Sequence, residues 1–361
     1  MTRTLAIAAS LVLAAPRLAG ADAALEEVSA GNAPQTSTTP GSNWLADRVA
    51  GMWEPSERWQ IRGDFTGTRD WSGALSGTSL PNAPSDILLG ALGIEFDPNE
   101  HWNTKLAATY SPNALTMTQT PVQAIGPTGK TVNANAGLDA YAASYGGSAQ
   151  LGYDSAGDSA AEGSLLATAS VTHFDVQQQI TSIETKAGQM LTAQQVKDYC
   201  TAHRCSSQLS AALSGSADQL NQLVVGGNAS MQLYQTTDVG LDGAYYFYDK
   251  DPTQVGYFSA ASVGRLGLGA GAPIAPLQYT AGPDVMHRFG ELMTLATVSY
   301  GKYVDGEGYN VTGALRVQYK WKLDRDKRIK LWGKLMGARD TDSTGAKSKS
   351  GSLALGMQYT W

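Results

Sequence analysis

The sequence predicts an all-β fold, an antiparallel up-and-down barrel of about 12 strands that spans a bilayer. Three observations predict it. Apolar and polar residues alternate over segments longer than an ordinary strand. Short and long connections alternate between those segments. The composition also fits neither an ordinary soluble domain nor a helical membrane protein. The 361 residues are 42% hydrophobic but only 16% charged, with 40 Gly, against a usual charged fraction of about a quarter. Mean hydropathy is −0.21, too low for a polytopic helical membrane protein. The longest uncharged apolar run, Leu5–Pro16, falls short of the roughly 20 residues a transmembrane helix needs. A pI near 5.3 gives no reason to expect nucleic acid as a partner.

The N-terminus reads as a signal peptide over residues 1–23. Arg3 is a short basic region, Leu5–Ala15 an apolar one, and Ala19-Gly20-Ala21 and Ala21-Asp22-Ala23 offer small-x-small cleavage sites. A buried N-terminal helix would need an amphipathic stripe, which this segment lacks. Removing it leaves 24 basic and 31 acidic side chains, a formal charge of −7. An exported chain meets an oxidising compartment, so Cys200 and Cys205 are expected to form a disulfide pinning a turn. A metal site built from these cysteines and His203 lacks a second ligand cluster. No metal or other cofactor is expected.

Residues 24–55 read as a periplasmic tail and linker. They include the short amphipathic stretch Asn43–Trp53, which could plug the barrel from below or rest on the inner leaflet surface. Residues 56–361 are the expected barrel. In Tyr309–Leu323, Tyr309, Val311, Leu315, Val317, Tyr319, Trp321 and Leu323 share one face, opposite Asn310, Thr312, Arg316, Gln318, Lys320 and Lys322. Such a period of two is the signature of a strand with one apolar face. The same reading gives twelve strands, near 57–71, 85–96, 101–111, 142–153, 163–175, 226–235, 239–250, 277–288, 291–303, 309–323, 328–339 and 350–361. Short turns fall at Asp97–Glu100, Ser155–Glu162, Thr236–Asp238, Phe289–Gly290 and Asp324–Lys327. The longer connections are 72–84, 112–141, 176–225, 251–276 and 340–349. Short turns at one end, long loops at the other and aromatic strand ends are the marks of a transmembrane barrel. A soluble sandwich or lipocalin-like barrel would turn its apolar faces inward and carry more charge outside.

The last eight residues, Ala354-Leu-Gly-Met-Gln-Tyr-Thr-Trp361, resemble the C-terminal β-signal of bacterial outer-membrane proteins. Gly356, Tyr359 and Trp361 fill its Gly and aromatic positions, while Ala354 departs from the usual polar residue. The resemblance implies a porin-like barrel of a Gram-negative outer membrane, inserted by the barrel-assembly machinery and embedded in outer-membrane lipid and lipopolysaccharide.

The inward register nominates the residues lining a pore: Arg58, Arg62, Asp64, Lys105, Asp242, Arg316, Gln318, Lys320 and Lys334. If the strand at 57–71 closes on the one at 350–361, Arg58 and Arg62 approach the late-strand cations across Ser352, Ala354 and Gly356. One wall is then basic and biases the pore toward anions. The segment 176–225 carries capping boxes at Thr192–Gln195 and Ser216–Gln219 and partial helical stripes, so it reads as a helical hairpin. No enzyme is expected. The four histidines, His101, His173, His203 and His287, include one acid–base candidate, His173 with Asp175, and no Ser motif accompanies it. The expected function is a passive pore for small polar solutes with a weak anion preference. The alternative is a structural or translocation barrel of an envelope machine, for surface-polysaccharide export, secretion or adhesion, acting through a periplasmic or surface protein partner.

Overall fold

The computed structural model describes residues 23–33, 42–70, 86–155, 162–203, 213–214, 217–252, 277–304, 308–323, 327–341 and 347–360. These residues hold fourteen strands in one closed barrel. In chain order they are β1 (Ala23–Ala33), β2 (Ser42–Ser56), β3 (Trp59–Asp70), β4 (Asp86–Phe96), β5 (Trp102–Ile125), β6 (Thr131–Asp154) and β7 (Gly163–Thr185). β8 (Ala217–Tyr234), β9 (Thr237–Tyr248), β10 (Leu277–Phe289), β11 (Leu292–Tyr303), β12 (Tyr309–Lys322), β13 (Arg328–Thr341) and β14 (Lys347–Thr360) follow. Each pairs antiparallel with its sequence neighbour, and β1 closes on β14 with Leu25 opposite Thr360.

The barrel is inside-out relative to a soluble protein. Leu92, Leu106, Leu241 and Leu355 are each 57–61% exposed. They alternate with half-buried neighbours along their strands. Directly opposed residues share a face, so the exposed leucines, valines and aromatics form one continuous outer surface. Aromatic rings rim it: Trp59 lies tilted against Phe96 at 4.5 Å and Trp102 against Tyr153 at 5.0 Å at the short-turn end. Tyr110, Tyr145, Tyr245 and Phe247 stand exposed toward the other end. Trp102 and Tyr110 are eight residues apart, roughly 20 Å along a strand tilted by about 40°, close to the height of an outer-membrane apolar band.

The strand count corrects the expectation of about 12. The two additional strands, β1 and β2, come from residues 24–55, and Asn43–Trp53 is barrel wall, not a plug or tail. Alternation hid them because Glu26 and Asp47 occupy the outward register. Glu26 opposes Tyr359 and Asp47 opposes Val28, which in turn opposes Met357. Carboxylates and small Ala and Gly residues erase the apolar beat that marks the other strands. Of the expected signal segment, residues 1–23, all but Ala23, the first residue of β1, lie outside the described residues, as does Trp361.

β5, β6 and β7 run for 24, 24 and 23 residues, against 11 in β4 and 18 in β8. Their far halves, expected as loops, form a three-stranded blade beyond the barrel. The β5–β6 turn uses Gly129 at φ 75°. After β7 the chain reverses at Gly188, where φ is 79°, and Leu191 N–H donates to the Ile183 carbonyl at 2.8 Å. Helix α1 (Ala193–Ala202) then packs back on the blade. Its expected capping box is present: the Thr192 side chain accepts from Gln195 N–H, and the Gln195 side chain accepts from Thr192 N–H. Val196, fully buried, meets Val122, Ala124, Ala134, Ala136, Ile183 and Leu191. Four of these six are on β5 and β6, and three of those are Ala, which lets the helix approach closely. Ser216–Gln219 opens no helix: Gln219 lies in β8. Of the expected helical hairpin, α1 is described in full; Leu213 and Ser214 are also helical, with Leu213 against the same cluster, and residues 204–212 and 215–216 lie outside the described residues.

Val196→Ala is expected to weaken this packing by about 1–3 kcal/mol. Amide exchange across Ala193–Ala202 should accelerate, while the unboiled barrel keeps its gel mobility. Unchanged exchange would show that α1 is held by something else.

Candidate functional site

The inner wall is the face opposite the exposed apolar side chains. Arg316, Gln318 and Lys320 on β12, Lys330 and Lys334 on β13, Arg62 and Asp64 on β3, Lys105 on β5 and Asp242 on β9 occupy it by register. Arg58 lies in the two-residue turn between β2 and β3, at the short-turn rim.

β1 and β2 intervene between β3 and β14, so Arg62 does not reach the late-strand cations, contrary to the sequence expectation. It pairs instead with Glu95 on β4 at 3.1 Å and donates to Gln60 at 2.7 Å. A different set of residues spans the closure. Arg48 on β2 donates through Nε to Asp64 Oδ2 at 2.8 Å, with Nη2 on the same oxygen, and its Nη1 lies 3.9 Å from Glu27 on β1. Glu27 also accepts from the Trp332 indole N–H at 2.9 Å. Trp332 is on β13, two strands away, and it reaches Glu27 because Gly356 of the intervening β14 has no side chain. A Cβ at Gly356 would overlap the indole ring. The Arg316 guanidinium lies 4.8 Å from the centre of the Trp332 ring, a cation–π contact.

Asp64, Arg48, Glu27, Trp332 and Arg316 thus form a polar belt from β3 to β12 across the seam. Arg48, Glu27, Glu95 and Trp332 were absent from the sequence reading. Trp332, a lone aromatic on the lysine-bearing register of β13, was the legible clue. Gly356, nominated as part of the assembly signal, has this second, packing role. Tyr359 lies on the outward register opposite Ile329.

On β12 and β13 the cations oppose each other directly. Arg316 faces Lys334, Lys320 faces Lys330 and Lys322 faces Arg328, with Gln318 and Trp332 between the first two pairs. Like charges directly opposite are destabilising. The directly opposed positions do not neutralise the Arg316–Lys334 pair: Leu295 of β11 opposes Arg316 and Ala354 of β14 opposes Lys334. Beside the Lys320–Lys330 pair the Glu291 carbonyl accepts from Lys320 N–H at 3.0 Å, and Glu27 lies across Gln358 from Lys330. Arg316 Nε is buried without a hydrogen-bond partner. Beyond β11 the sign reverses. Asp242 and Asp284 share the inner face of β9 and β10, and Asp238 accepts from Arg288 at 2.8 Å.

At the long-loop rim, His173 sits between two oxygens: Nδ1 lies 2.7 Å from Asn221 Oδ1 and Nε2 lies 3.4 Å from Asp175. Asn221 is oriented by Asp249, which accepts from its backbone N–H at 3.0 Å and its side-chain N–H at 2.6 Å. Those donors hold the Asp249 carboxyl below the usual carboxylate range. The tie is therefore intact at neutral pH and is lost as acidification passes that lowered value. Cys200 is on α1 against the blade cluster, and Cys205 lies outside the described residues.

No family model matches the sequence, and no curated protein matches it. Solved structures do resemble its fold. The Pseudomonas putida toluene transporter TodX is 12% identical, with a TM-score of 0.48 over 94% of this chain and 89% of that one. A Pseudomonas aeruginosa FadL homologue is 10% identical, with a TM-score of 0.46 over 94% and 90%. The KdgM porin is 10% identical, with a TM-score of 0.33 over 76% and 92%. The closed antiparallel barrel of this chain is read from its own strand pairing.

Gly356→Ala is expected to cost about 1–3 kcal/mol by forcing the indole aside. In a Trp332→Ala background the same change should cost less than about 0.5 kcal/mol. Urea unfolding of the barrel refolded in phospholipid vesicles reads both. Equal costs in the two backgrounds would show that the ring does not use the space over Gly356.

Proposed function

We propose that this chain is an outer-membrane channel through which small polar solutes diffuse, with a preference for anions. The observation that carries this reading is a closed wall whose outer face is apolar and whose inner face is polar and charged. A bilayer tolerates only a sheet without free edges, and an inner polar face suits a water-filled path. The facing cations of β12 and β13 raise the local concentration of anions beside that wall. The reading includes export with loss of residues 1–23, a Cys200–Cys205 disulfide and insertion by the barrel-assembly machinery into lipid and lipopolysaccharide. It includes no enzymatic step and no cofactor, because transport here needs only width, polarity and charge.

A second reading rests on the blade and α1. A folded platform beyond the barrel is more than a connection needs, and it suits a barrel that serves an envelope machine by engaging a surface partner.

Planar-bilayer recording on the refolded chain separates the two. The channel reading expects stepwise conductance and, in a KCl gradient, a reversal potential displaced toward that of chloride. Absence of steps, both in the intact chain and with residues 190–212 replaced by a short Gly-Ser turn, would overturn it and favour the platform reading. A reversal potential displaced toward potassium would remove the anion preference alone.

A further inference from the structure

The cation pairs of β12 and β13 have a second property beyond their net charge: they are grouped at discrete heights. Arg316 and Lys334 form one pair, and Lys320 and Lys330 the next, four residues further along β12. That step is about 13 Å along the strand. Between them lie Gln318 and Trp332, the latter engaged with Arg316 and Glu27. Each pair therefore presents two cationic groups side by side to the lumen, fixed by backbone register and not by chance side-chain placement.

Two adjacent cations repel each other unless an anion lies between them. Glu27 fills this role only in part: it lies across Gln358 from Lys330, but it also accepts from Trp332 and faces Arg48, and it does not lie between Arg316 and Lys334. Arg316 holds its guanidinium over the Trp332 ring with Nε lacking a partner. Stacking leaves the far edge of the guanidinium as a planar set of donors, the geometry that suits phosphate and carboxylate oxygens. Lys334 supplies a point charge opposite it. An oxyanion with more than one negative charge satisfies both members of a pair at once, whereas a monovalent ion satisfies one.

We propose that Arg316–Lys334 and Lys320–Lys330 form a two-step binding station for multivalent oxyanions, phosphate- or carboxylate-bearing solutes, inside the barrel. The inference rests on the channel reading for its physiological use, but not for the binding itself. Two sites in series let a ligand bind and still leave, because occupancy of the second lowers the cost of quitting the first. Lys322 and Arg328, the third pair, sit exposed at the rim and are not part of the station.

The test uses sodium tripolyphosphate as the probe and sodium acetate as the monovalent comparison, on the full chain refolded in detergent and in bilayers. Tripolyphosphate is expected to block the chloride current at a concentration about ten-fold or more below that of acetate. The double variants Arg316→Gln/Lys334→Gln and Lys320→Gln/Lys330→Gln should each raise the half-blocking concentration by about ten-fold, and raised ionic strength should do the same to wild type. Lys302→Gln, on the outward register opposite Tyr309, should leave block unchanged. Each variant is checked for the heat-modifiable band of a folded barrel.

Titration calorimetry with tripolyphosphate reads the station without current. Binding in wild type, lost in the quadruple Gln variant, supports the station even if no conductance is seen, in which case only the channel reading fails. Block or binding that is equal in wild type and the Gln variants, or no stronger than with acetate, overturns the station while leaving a conducting channel intact.

Discussion

A bilayer core offers no water to a peptide group, so every backbone N–H and C=O within it must find a partner in the protein. For a sheet this means closure. The first strand has to pair with the last, and β1 does so with β14 over the register from Leu25–Thr360 to Asn32–Leu353. The outward turn of the leucines, the inward turn of the charges and the even strand number all follow from that requirement. Closure is also the longest-range contact in the chain, which makes the seam the place where side-chain support matters most.

The seam carries that support on its inner face. The belt from Asp64 through Arg48, Glu27 and Trp332 to Arg316 links strands on both sides of the β1–β14 junction. Its individual ion pairs are partly exposed and each is worth little. Their joint effect is geometric: they orient Trp332 over Gly356 and thereby Arg316 into the lumen. The same small residue that lets the indole cross also stands in a terminal motif resembling an assembly signal, so one position serves both closure and, through Trp332, the placement of a cation. Opposed like charges on β12 and β13 are a local cost that the hydrogen-bonded wall holds in place, a common sign that a position is set by function and not by stability.

Legibility in the sequence followed the solvent on each face. Where one face meets lipid and the other water, as in Tyr309–Leu323 or Leu353–Tyr359, the period of two is strong and the strands could be read to within a few residues. It fades where both faces meet similar surroundings. The far halves of β5–β7 stand beyond the lipid, carry Ala, Thr, Asn and Gln on both faces, and so read as loop. In β1 and β2 the outward Glu26 and Asp47 mask the same pattern. Missing those two strands then misplaced Arg62 beside β14, since one error in neighbour order moves every contact across the seam.

The sequence by itself determined that the chain alternates, which residues share a face, and that β12 and β13 bear cations on the polar one. These are properties of consecutive residues, and a strand's geometry assigns them without reference to anything distant. The tertiary structure alone decided how many strands close the ring, that Glu27 lies within reach of Trp332 305 positions away, and that the cations of two strands stand opposite one another. Register between strands depends on turn lengths and on the sum of pairings around the whole ring, so no local pattern encodes it.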